Sequence, residues 1–318
     1  YGRDNHHLED FLEDLSNNPS RQYSVNLKFL RITRSLTTRL LPSIVPKEQT
    51  SSSLLQDDEN TLDHDVHSPV TTDNDTPFRR CKIIKFVGCR FFSQSDVTIP
   101  EQNDDVCTPD DKCCFISALA RYPFCSIIIH HSPEILKEIL SISEIINQVK
   151  AQELEISQFI PLSNLEFIKL GAVIQRSVQL ASLKLTIPWM DVPQAFCCSL
   201  TNSIHLQKLK IVLTWNKNGF EHIVGEGGLV NGVLRNSQHQ LVYLSLKATA
   251  LEDHHLIALA KLLPASKVET LNFAKNNIQS HGLLEFVRLV PNMQFLTRIF
   301  FFLQPLGTLS MGGPRGVW

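Results

Sequence analysis

The sequence predicts an α/β solenoid, in which repeated strand–helix units stack side by side. Three observations favour this fold class. Two stretches, which start at Leu241 and at Val268, match column by column at an offset of 27 residues. The first six places of each stretch alternate in polarity, as the residues of a half-buried strand do. Later places carry an apolar stripe with helical spacing, and a proline follows that stripe.

The matched columns define the repeating unit. Place 11 holds Leu251 in the first copy and Ile278 in the second, and place 24 holds Pro264 or Pro291. Places 16, 19, 20 and 23 form the helical stripe. One strand and one helix in about 28 residues cannot enclose a core alone, so the copies must stack. Places 1, 4 and 6 of the strand are Leu241, Leu244 and Leu246 in one copy, and Val268, Leu271 and Phe273 in the other.

The strand triplet recurs in other parts of the chain. Successive starts from Leu165 onward lie 15, 26, 35, 27 and 28 residues apart. The 35-residue unit has extra residues around NKNGFEHIVGEGG, which we interpret as a loop. The 15-residue unit is too short for a helix, so it is either a bare turn or an error of register. The further triplets are Leu165-Ile168-Leu170, Leu180-Leu183-Leu185, Leu206-Leu209-Ile211 and Leu296-Ile299-Phe301.

The stretch VETLNFAKNNIQSHG, residues 268–282, closely resembles the pattern LxxLxLxxNxLxxxG of leucine-rich repeats of the ribonuclease-inhibitor type. The resemblance implies a curved solenoid with strands on the concave face and helices on the convex face. It also implies that Asn276, at place nine, turns inward and bonds backbone groups after the strand, while Ile278 fills the core beneath it. Other copies depart from the pattern, with Thr249 and Thr214 at the asparagine place and His255 at the place of Gly282.

The repeat signal weakens toward the start of the chain. Residues 1–47 are a degenerate repeat or an N-terminal helical or strand region, and residues 78–164 are degenerate repeats or a small α/β region. Residues 48–77 hold eight acids and no Lys or Arg, which predicts a disordered loop. Leucine-rich repeats occupy residues 165–301, and residues 302–318 form an irregular tail. The looser triplets are Leu27-Leu30-Ile32, Cys81-Ile84-Phe86, Phe124-Ile127-Ile129 and Ala151-Leu154-Ile156.

Composition argues against several classes of function. The 318 residues are 43% hydrophobic and 19% charged, and a net charge of −2 does not favour a nucleic-acid partner. No apolar run is long enough to span a bilayer, so no membrane role is expected. Eight cysteines are too few for a disulfide scaffold and indicate reduced thiols in the cytoplasm. The chain lacks an initial Met and ends in an apolar, then irregular, stretch, so we expect a fragment of a longer protein.

A cluster of cysteines and histidines between residues 107 and 131 invites a metal hypothesis. The five-residue gap between Cys107 and Cys113 argues against it, because zinc sites use tighter pairs. No motif of a catalytic serine, a metalloprotease or a phosphate-binding loop occurs. We therefore predict no enzyme, no metal and no cofactor; the alternative is a thiol- or metal-dependent enzyme within residues 81–160. The cluster comprises Cys107, Cys113, Cys114, Cys125, His130 and His131.

The strand residues that alternation turns away from the helices form the candidate binding surface. Neighbouring strands lie about 4.8 Å apart, so Lys169, Lys184 and Lys210 would form a basic column. Lys208 lies beside this column and Tyr243 flanks it. Such a surface suits an acidic peptide or protein, whereas the alternative is a solvated face without a partner. Charge reversal at Lys184 and Lys210 is expected to weaken partner binding without lowering the melting temperature.

The leading functional hypothesis is a cytosolic, non-catalytic scaffold that holds another protein on its concave face. The resemblance to ribonuclease-inhibitor-type repeats implies the ligand-sensing part of a NOD-like innate immune receptor. An alternative interpretation is a substrate-recruiting subunit of a ubiquitin ligase.

Overall fold

The structure, a computed structural model, describes residues 23–28, 30–38, 81–91, 93, 106–121, 125–141, 150–188, 192–213 and 228–302. The predicted acidic loop 48–77, most of the predicted tail, the predicted loop around residues 216–227 and Thr214 lie outside these residues. The strands are β1 (Tyr23–Lys28), β2 (Arg31–Ile32), β3 (Cys81–Val87), β4 (Arg90–Phe91), β5 (Ser126–His130), β6 (Glu153–Ser157), β7 (Ser182–Ile187), β8 (Lys208–Leu213), β9 (Tyr243–Ser245), β10 (Thr270–Asn272) and β11 (Arg298–Phe300). The helices are α1 (Pro109–Arg121), α2 (Pro133–Ser141), α3 (Asn164–Arg176), α4 (Gln194–Asn202), α5 (Leu229–Arg235), α6 (Asp253–Ala260) and α7 (Ser280–Leu289).

Nine of the described strands form one parallel sheet, in which each strand pairs with the next of the nine along the chain. The order is β1, β3, β5, β6, β7, β8, β9, β10, β11, and β2 pairs with β4 in a separate two-stranded sheet. A helix follows each strand from β5 to β10, and consecutive helices pack on one another except α5 and α6, where the 3-10 turn Leu263–Ala265 after α6 contacts α5 instead. Parallel connections share one handedness, so helices that follow strands added in sequence lie on the same face of the sheet. The predicted α/β class with parallel strands and alternating helices is confirmed.

A continuous apolar row from neighbouring strands forms the centre of the core. Each member lies in register with the next, and six of its seven members are at most 3% exposed. Side chains in parallel register stand one strand spacing apart, so they contact one another and the helices behind them. The row consists of Ile127, Leu154, Leu183, Leu209, Leu244, Leu271 and the partly buried Ile299.

The predicted strand triplet Leu165-Ile168-Leu170 is wrong. These residues lie in α3, which Ser163 and Glu166 begin with reciprocal side-chain-to-backbone hydrogen bonds. Leu165 and Ile168 are exposed, while the buried stripe has helical spacing and comprises Phe167, Leu170, Gly171 and Ile174. The strand of this unit is β6, with the looser triplet Ala151-Leu154-Ile156, and the next unit starts 29 residues later at Leu180. The sheet runs across residue 165 without a break, because β6 pairs with β7.

The predicted triplet Leu27-Leu30-Ile32 is also wrong in register. β1 ends at Lys28, and its buried Leu27 pairs with Phe86. Ile32 lies in β2, next to Phe91 of β4. The spacing of Leu27, Leu30 and Ile32 fits the triplet, but Leu27 lies in β1, Ile32 lies in β2 and Leu30 lies between the two strands.

The same bend follows several strands, from the third strand to the tenth. Counted from residues 81, 124, 241 and 268, place eight adopts a left-handed backbone conformation in each unit, at Gly88, His131, Ala248 and Lys275. The place-eight amide donates to the place-seven carbonyl of the next unit, as in Gly88 to His130 at 2.9 Å and His131 to Ser157 at 2.7 Å. The same bond joins Ala248 to Ala274 and Lys275 to Phe302, both at 2.9 Å. The bends at Gly88 and His131 therefore share this local geometry with those at Ala248 and Lys275.

Place nine closes the bend through a side chain that reaches the preceding unit. Asn276, 1% exposed, accepts from the amides of Thr249 at 2.8 Å and Leu251 at 3.1 Å. Its Nδ2 donates to the carbonyls of Leu246 at 2.7 Å and Phe273 at 2.8 Å. The buried Ile278 lies two residues further, at place eleven.

Near the start of the sheet, the hydroxyl of Ser132 accepts from the amide of Cys89 at 2.9 Å. Both residues are buried at place nine of their units, counted from residues 124 and 81. The side chain of Asn276 thus makes the inward hydrogen bonds that the resemblance implied. Ser132 makes the corresponding bond to the preceding unit with a hydroxyl group.

Position 282 requires glycine because α6 and α7 approach each other closely there. A Cβ atom at Gly282 would lie 2.7 Å from the Cα atom of Asp253, which is backbone and cannot swing away. Asp253 also accepts from the amide of Gln279 at 2.7 Å, and so caps α7 from the preceding unit. In α6 the same place holds His255, whose Nδ1 accepts from the amide of Glu252 at 3.3 Å.

Two histidines between α4 and β9 make stability depend on pH. His239 is 4% exposed, and its Nε2 lies 3.4 Å from the carbonyl oxygen of Leu200. Burial lowers the pKa of His239; the bond to Leu200 opposes this shift, and the nearby His205 adds to it. A folded-state pKa below the unfolded value means that the unfolded chain binds the proton first, so stability is lost as the pH falls below the ordinary histidine pKa of about 6.5.

We expect His239→Leu to reduce this loss of stability between about pH 7 and pH 5 by about 1 kcal/mol, because leucine neither titrates nor leaves a buried nitrogen to protonate. Urea unfolding of the wild type and the variant at several pH values measures the effect. His281→Leu is the matched control, because His281 is exposed and should keep the wild-type pH profile. Parallel pH profiles for the wild type and His239→Leu would contradict this account.

Candidate binding groove on the open face of the sheet

Alternation along the strands leaves one face of the sheet without helices, and we call this the open face. Two rows of open-face residues cross β8 to β11 in register. The first row is Lys208, Tyr243, Thr270 and Arg298. The second row lies two residues further along each strand and is Lys210, Ser245, Asn272 and Phe300.

Four of the five predicted binding residues lie on this face. Lys184 and Lys210 are register partners on β7 and β8, and Lys208 pairs with Tyr243. The Nζ of Lys210 lies over the ring of Tyr243, 5.5 Å from its centroid. Lys169 is not part of the surface: it lies on α3, on the helix side of the sheet, so its assignment to the basic column is wrong.

The strand residue beside Lys184 is an acid. Glu155 on β6 is the register partner of Lys184, and its Oε1 lies 2.6 Å from the Nζ of Lys184 and 2.8 Å from the Nε2 of His130. Burial would raise the pKa of Glu155, but hydrogen bonds from Lys184 and His130 together lower it below its ordinary value. Glu155 was not predicted as a surface residue, because the strand of this unit was assigned to residue 165 and not to β6. Lys184 therefore neutralises a neighbour and is not available for a ligand in the way that was predicted.

We expect Lys184→Glu to lower the free energy of unfolding by about 2 kcal/mol, because it places a second carboxylate beside the largely buried Glu155. Lys210→Glu should change it by less than about 0.5 kcal/mol, because Lys210 makes only the contact with Tyr243 among the described residues. Chemical denaturation of both variants provides the measurement. Equal stability of the two variants would contradict a stabilising ion pair between Glu155 and Lys184. It would support the original expectation that charge reversal at Lys184 does not lower stability.

A groove of about 470 Å³ lies on the open face over β9 to β11. Its floor is formed by the short side chains of Thr270 and Asn272 on β10. Longer side chains stand on both sides, with Lys208 and Tyr243 along one wall and Arg298 and Phe300 along the other. Sequence analysis included Lys208 and Tyr243 but missed Arg298 and Phe300, although alternation from Leu296 places both on this face.

The groove has an excess of positive charge. Lys208 and Arg298 contribute two cations, and Glu269 at the amino end of β10 contributes one anion. Within the described ranges, no ion pair within 4 Å involves Lys208, Lys210 or Arg298. The amide of Arg298 donates to the carbonyl of Glu269 at 3.0 Å, which fixes the backbone of that wall. An anionic group entering the groove would meet two cations without displacing a protein carboxylate from them.

The cysteine–histidine cluster is dispersed in the structure. The thiol of Cys107 donates to the carbonyl of Ile32 at 3.0 Å, Cys113 and Cys114 lie on α1, and Cys125 precedes β5. His130 bonds Glu155, while the ring of His131 stacks on Phe159 at 3.6 Å. In the part of the chain that the structure describes, no three His, Cys, Asp or Glu side chains are grouped to hold a metal ion. On α4, burial raises the pKa of Cys197 to about 11, so its thiol stays protonated.

The fold and the groove define an α/β protein whose consecutive units build a single parallel sheet with one open face. Comparison of the sequence with models of protein families finds no match, and comparison with curated proteins finds none either. None of the helices in the described ranges is long and apolar enough to cross a membrane.

Proposed function

We propose that this chain is a non-catalytic, protein-binding scaffold of leucine-rich repeats, which binds a segment of another protein in the groove over β9 to β11. The observation that carries the proposal is that groove, with a basic and an aromatic side chain on each wall. Aromatic residues and arginine contribute most of the binding energy at protein interfaces. The volume of the groove also lies within the range of roughly 300 to 1,000 Å³ that is typical of ligand sites.

The architecture supports the leucine-rich-repeat part of the proposal. The units that start at Leu180, Leu241 and Val268 have buried apolar residues at places 1, 4 and 6 and a buried residue at place nine, as in the pattern of that family. The unit from Ala151 departs from this pattern, because Phe159 at its place nine is 70% exposed. Asn276 and Cys89 are the two residue types that the pattern prefers at this place. The shared bend at Gly88, His131, Ala248 and Lys275 extends the same unit toward the start of the sheet.

By its resemblance to ribonuclease-inhibitor-type repeats, the chain is proposed to serve as the ligand-sensing part of a cytoplasmic NOD-like receptor. The small number of cysteines in the sequence is in keeping with the reducing compartment that this proposal requires.

A library of random peptides displayed on phage tests the binding function with the purified chain. We expect enriched peptides to lose at least about tenfold in affinity for a Tyr243→Ala/Phe300→Ala variant, because both walls lose their aromatic side chain. The matched control is Leu284→Ala/Val287→Ala, which removes two apolar side chains that are 61% and 56% exposed on α7. The control should bind like the wild type. Failure to enrich any peptide, or equal binding to both variants, would contradict the proposed function.

A further inference from the structure

We propose that the groove selects an extended peptide segment in which an acidic residue and an aromatic or large aliphatic residue are two positions apart. The acidic side chain lies between Lys208 and Arg298, and the apolar side chain lies against Phe300. This inference rests on the proposed function and assigns the chemistry of its ligand.

The position of the cations determines where the carboxylate binds. Lys208 and Arg298 occupy the same row of the sheet, three strand spacings or about 14 Å apart. Tyr243 and Thr270 stand between them in that row, and Thr270 is short and 6% exposed. Thr270 lies one strand spacing from Arg298 and two, or about 9.6 Å, from Lys208. A carboxylate above Thr270 is thus placed to bond Arg298 and to be attracted by Lys208 from across Tyr243. Such charge-assisted contacts are stronger than neutral hydrogen bonds.

The spacing between the two rows determines the sequence of the ligand. Phe300 lies two residues beyond Arg298 on β11, and two residues of a strand span roughly 6.6 Å. The trough follows β10, because the floor residues Thr270 and Asn272 are shorter than the side chains of both walls. In an extended peptide along that trough, side chains at positions i and i+2 point the same way. An acid above Thr270 therefore brings the side chain two residues away, on the Asn272 side, to the level of Phe300.

The balance of charge favours a carboxylate over a polyanion. Lys208, Arg298 and Glu269 give the lining a net charge of +1, which is too little to neutralise a run of phosphates. The Nζ of Lys210 lies 5.5 Å from the centroid of the Tyr243 ring, so its charge is engaged with that aromatic side chain. The described cations of the groove thus match one side-chain carboxylate.

The test uses the phage pool and a charge-swapped protein. Peptides enriched on the wild type should contain Asp or Glu two positions from an aromatic or large aliphatic residue, in one consistent order. Synthetic copies with Asn or Gln in place of the acid should bind at least about tenfold more weakly.

A Lys208→Glu/Arg298→Glu variant should instead enrich Lys or Arg at the same position. A merely misfolded variant would not gain this reversed preference. Lys261→Glu/Lys267→Glu, two exposed lysines outside the groove, is the matched control and should keep the preference for acids.

The outcomes separate the two proposals. Peptides that need Tyr243 and Phe300 but show no acidic preference would overturn the ligand assignment and leave the binding scaffold standing. Peptides that bind without either aromatic residue, or no enriched peptides, would overturn both. An unchanged acidic preference in the Lys208→Glu/Arg298→Glu variant would also overturn the ligand assignment.

Discussion

Asn276→Ala is expected to lower the free energy of unfolding by about 3 to 4 kcal/mol. The substitution leaves the amides of Thr249 and Leu251 and the carbonyls of Leu246 and Phe273 without the partners that Asn276 supplies. Each buried polar group that loses its partner costs about 1 to 3 kcal/mol, and partial relaxation keeps the sum below the full total. Urea unfolding measures the loss.

Asn277→Ala is the control for that variant. It removes the same side chain from the next position, which is exposed, and should change stability by less than about 0.5 kcal/mol. In the Asn276→Ala variant, hydrogen exchange should also become faster in residues 246–251 of the preceding unit, because the Asn276 side chain bonds that unit. A loss confined to the unit of Asn276 itself would show that the side chain does not join neighbouring units.

Leu271→Ala is expected to cost about 3 to 4 kcal/mol, as large-to-small changes in a packed core do. Leu271 is fully buried in the apolar row between Leu244 and Ile299, so a cavity there removes contacts on both sides. Chemical denaturation compares it with Leu284→Ala, which deletes the same atoms from a side chain that is 61% exposed. The control should lie within about 0.5 kcal/mol of the wild type. Comparable losses in the two variants would show that Leu271 is not a core residue.

The sequence predicted well those features of the fold that repeat. In the units that start at Leu180, Leu206, Leu241 and Val268, the residues at places four and six lie in the buried core. Alternation in a strand and a proline after a helix are local signals with a direct physical cause, and they survived in these units. Pro264 and Pro291 lie in short 3-10 turns just after α6 and α7.

The errors arose where one pattern fits two structures. Leu165, Ile168 and Leu170 match the strand triplet, but they belong to α3, where Leu165 and Ile168 are exposed and only Leu170 is buried. The capping signal Ser163 with Glu166 indicated the helix and was overlooked. Because the strand was misplaced, Lys169 entered the binding surface and Glu155 was left out of it.

Other features of the candidate site depend on partners that are distant in sequence. The ion pair between Glu155 and Lys184 spans 29 residues and follows from strand register, which no local motif specifies. The left-handed conformation at His131, Ala248 and Lys275 had no glycine to indicate it. Arg298 and Phe300 were predictable, since alternation from Leu296 places both side chains on the open face.

Disulfide trapping across the groove tests most directly whether consecutive units lie in parallel register under one open face. Thr270 and Arg298 are register partners on β10 and β11, and a Thr270→Cys/Arg298→Cys variant should form a cross-link under mild oxidation, since neighbouring Cα atoms lie within disulfide range. Thr270→Cys/Phe300→Cys is offset by two residues, which separates the Cα atoms by about 8 Å and should prevent the bond. The exposed Cys114 and Cys198 are changed to Ser in both proteins, and peptide mapping identifies the linked residues. A cross-link in the first protein alone is the predicted result. A cross-link in the offset protein alone, or in neither, would contradict the ladder on which the core, the groove and its proposed ligand all depend.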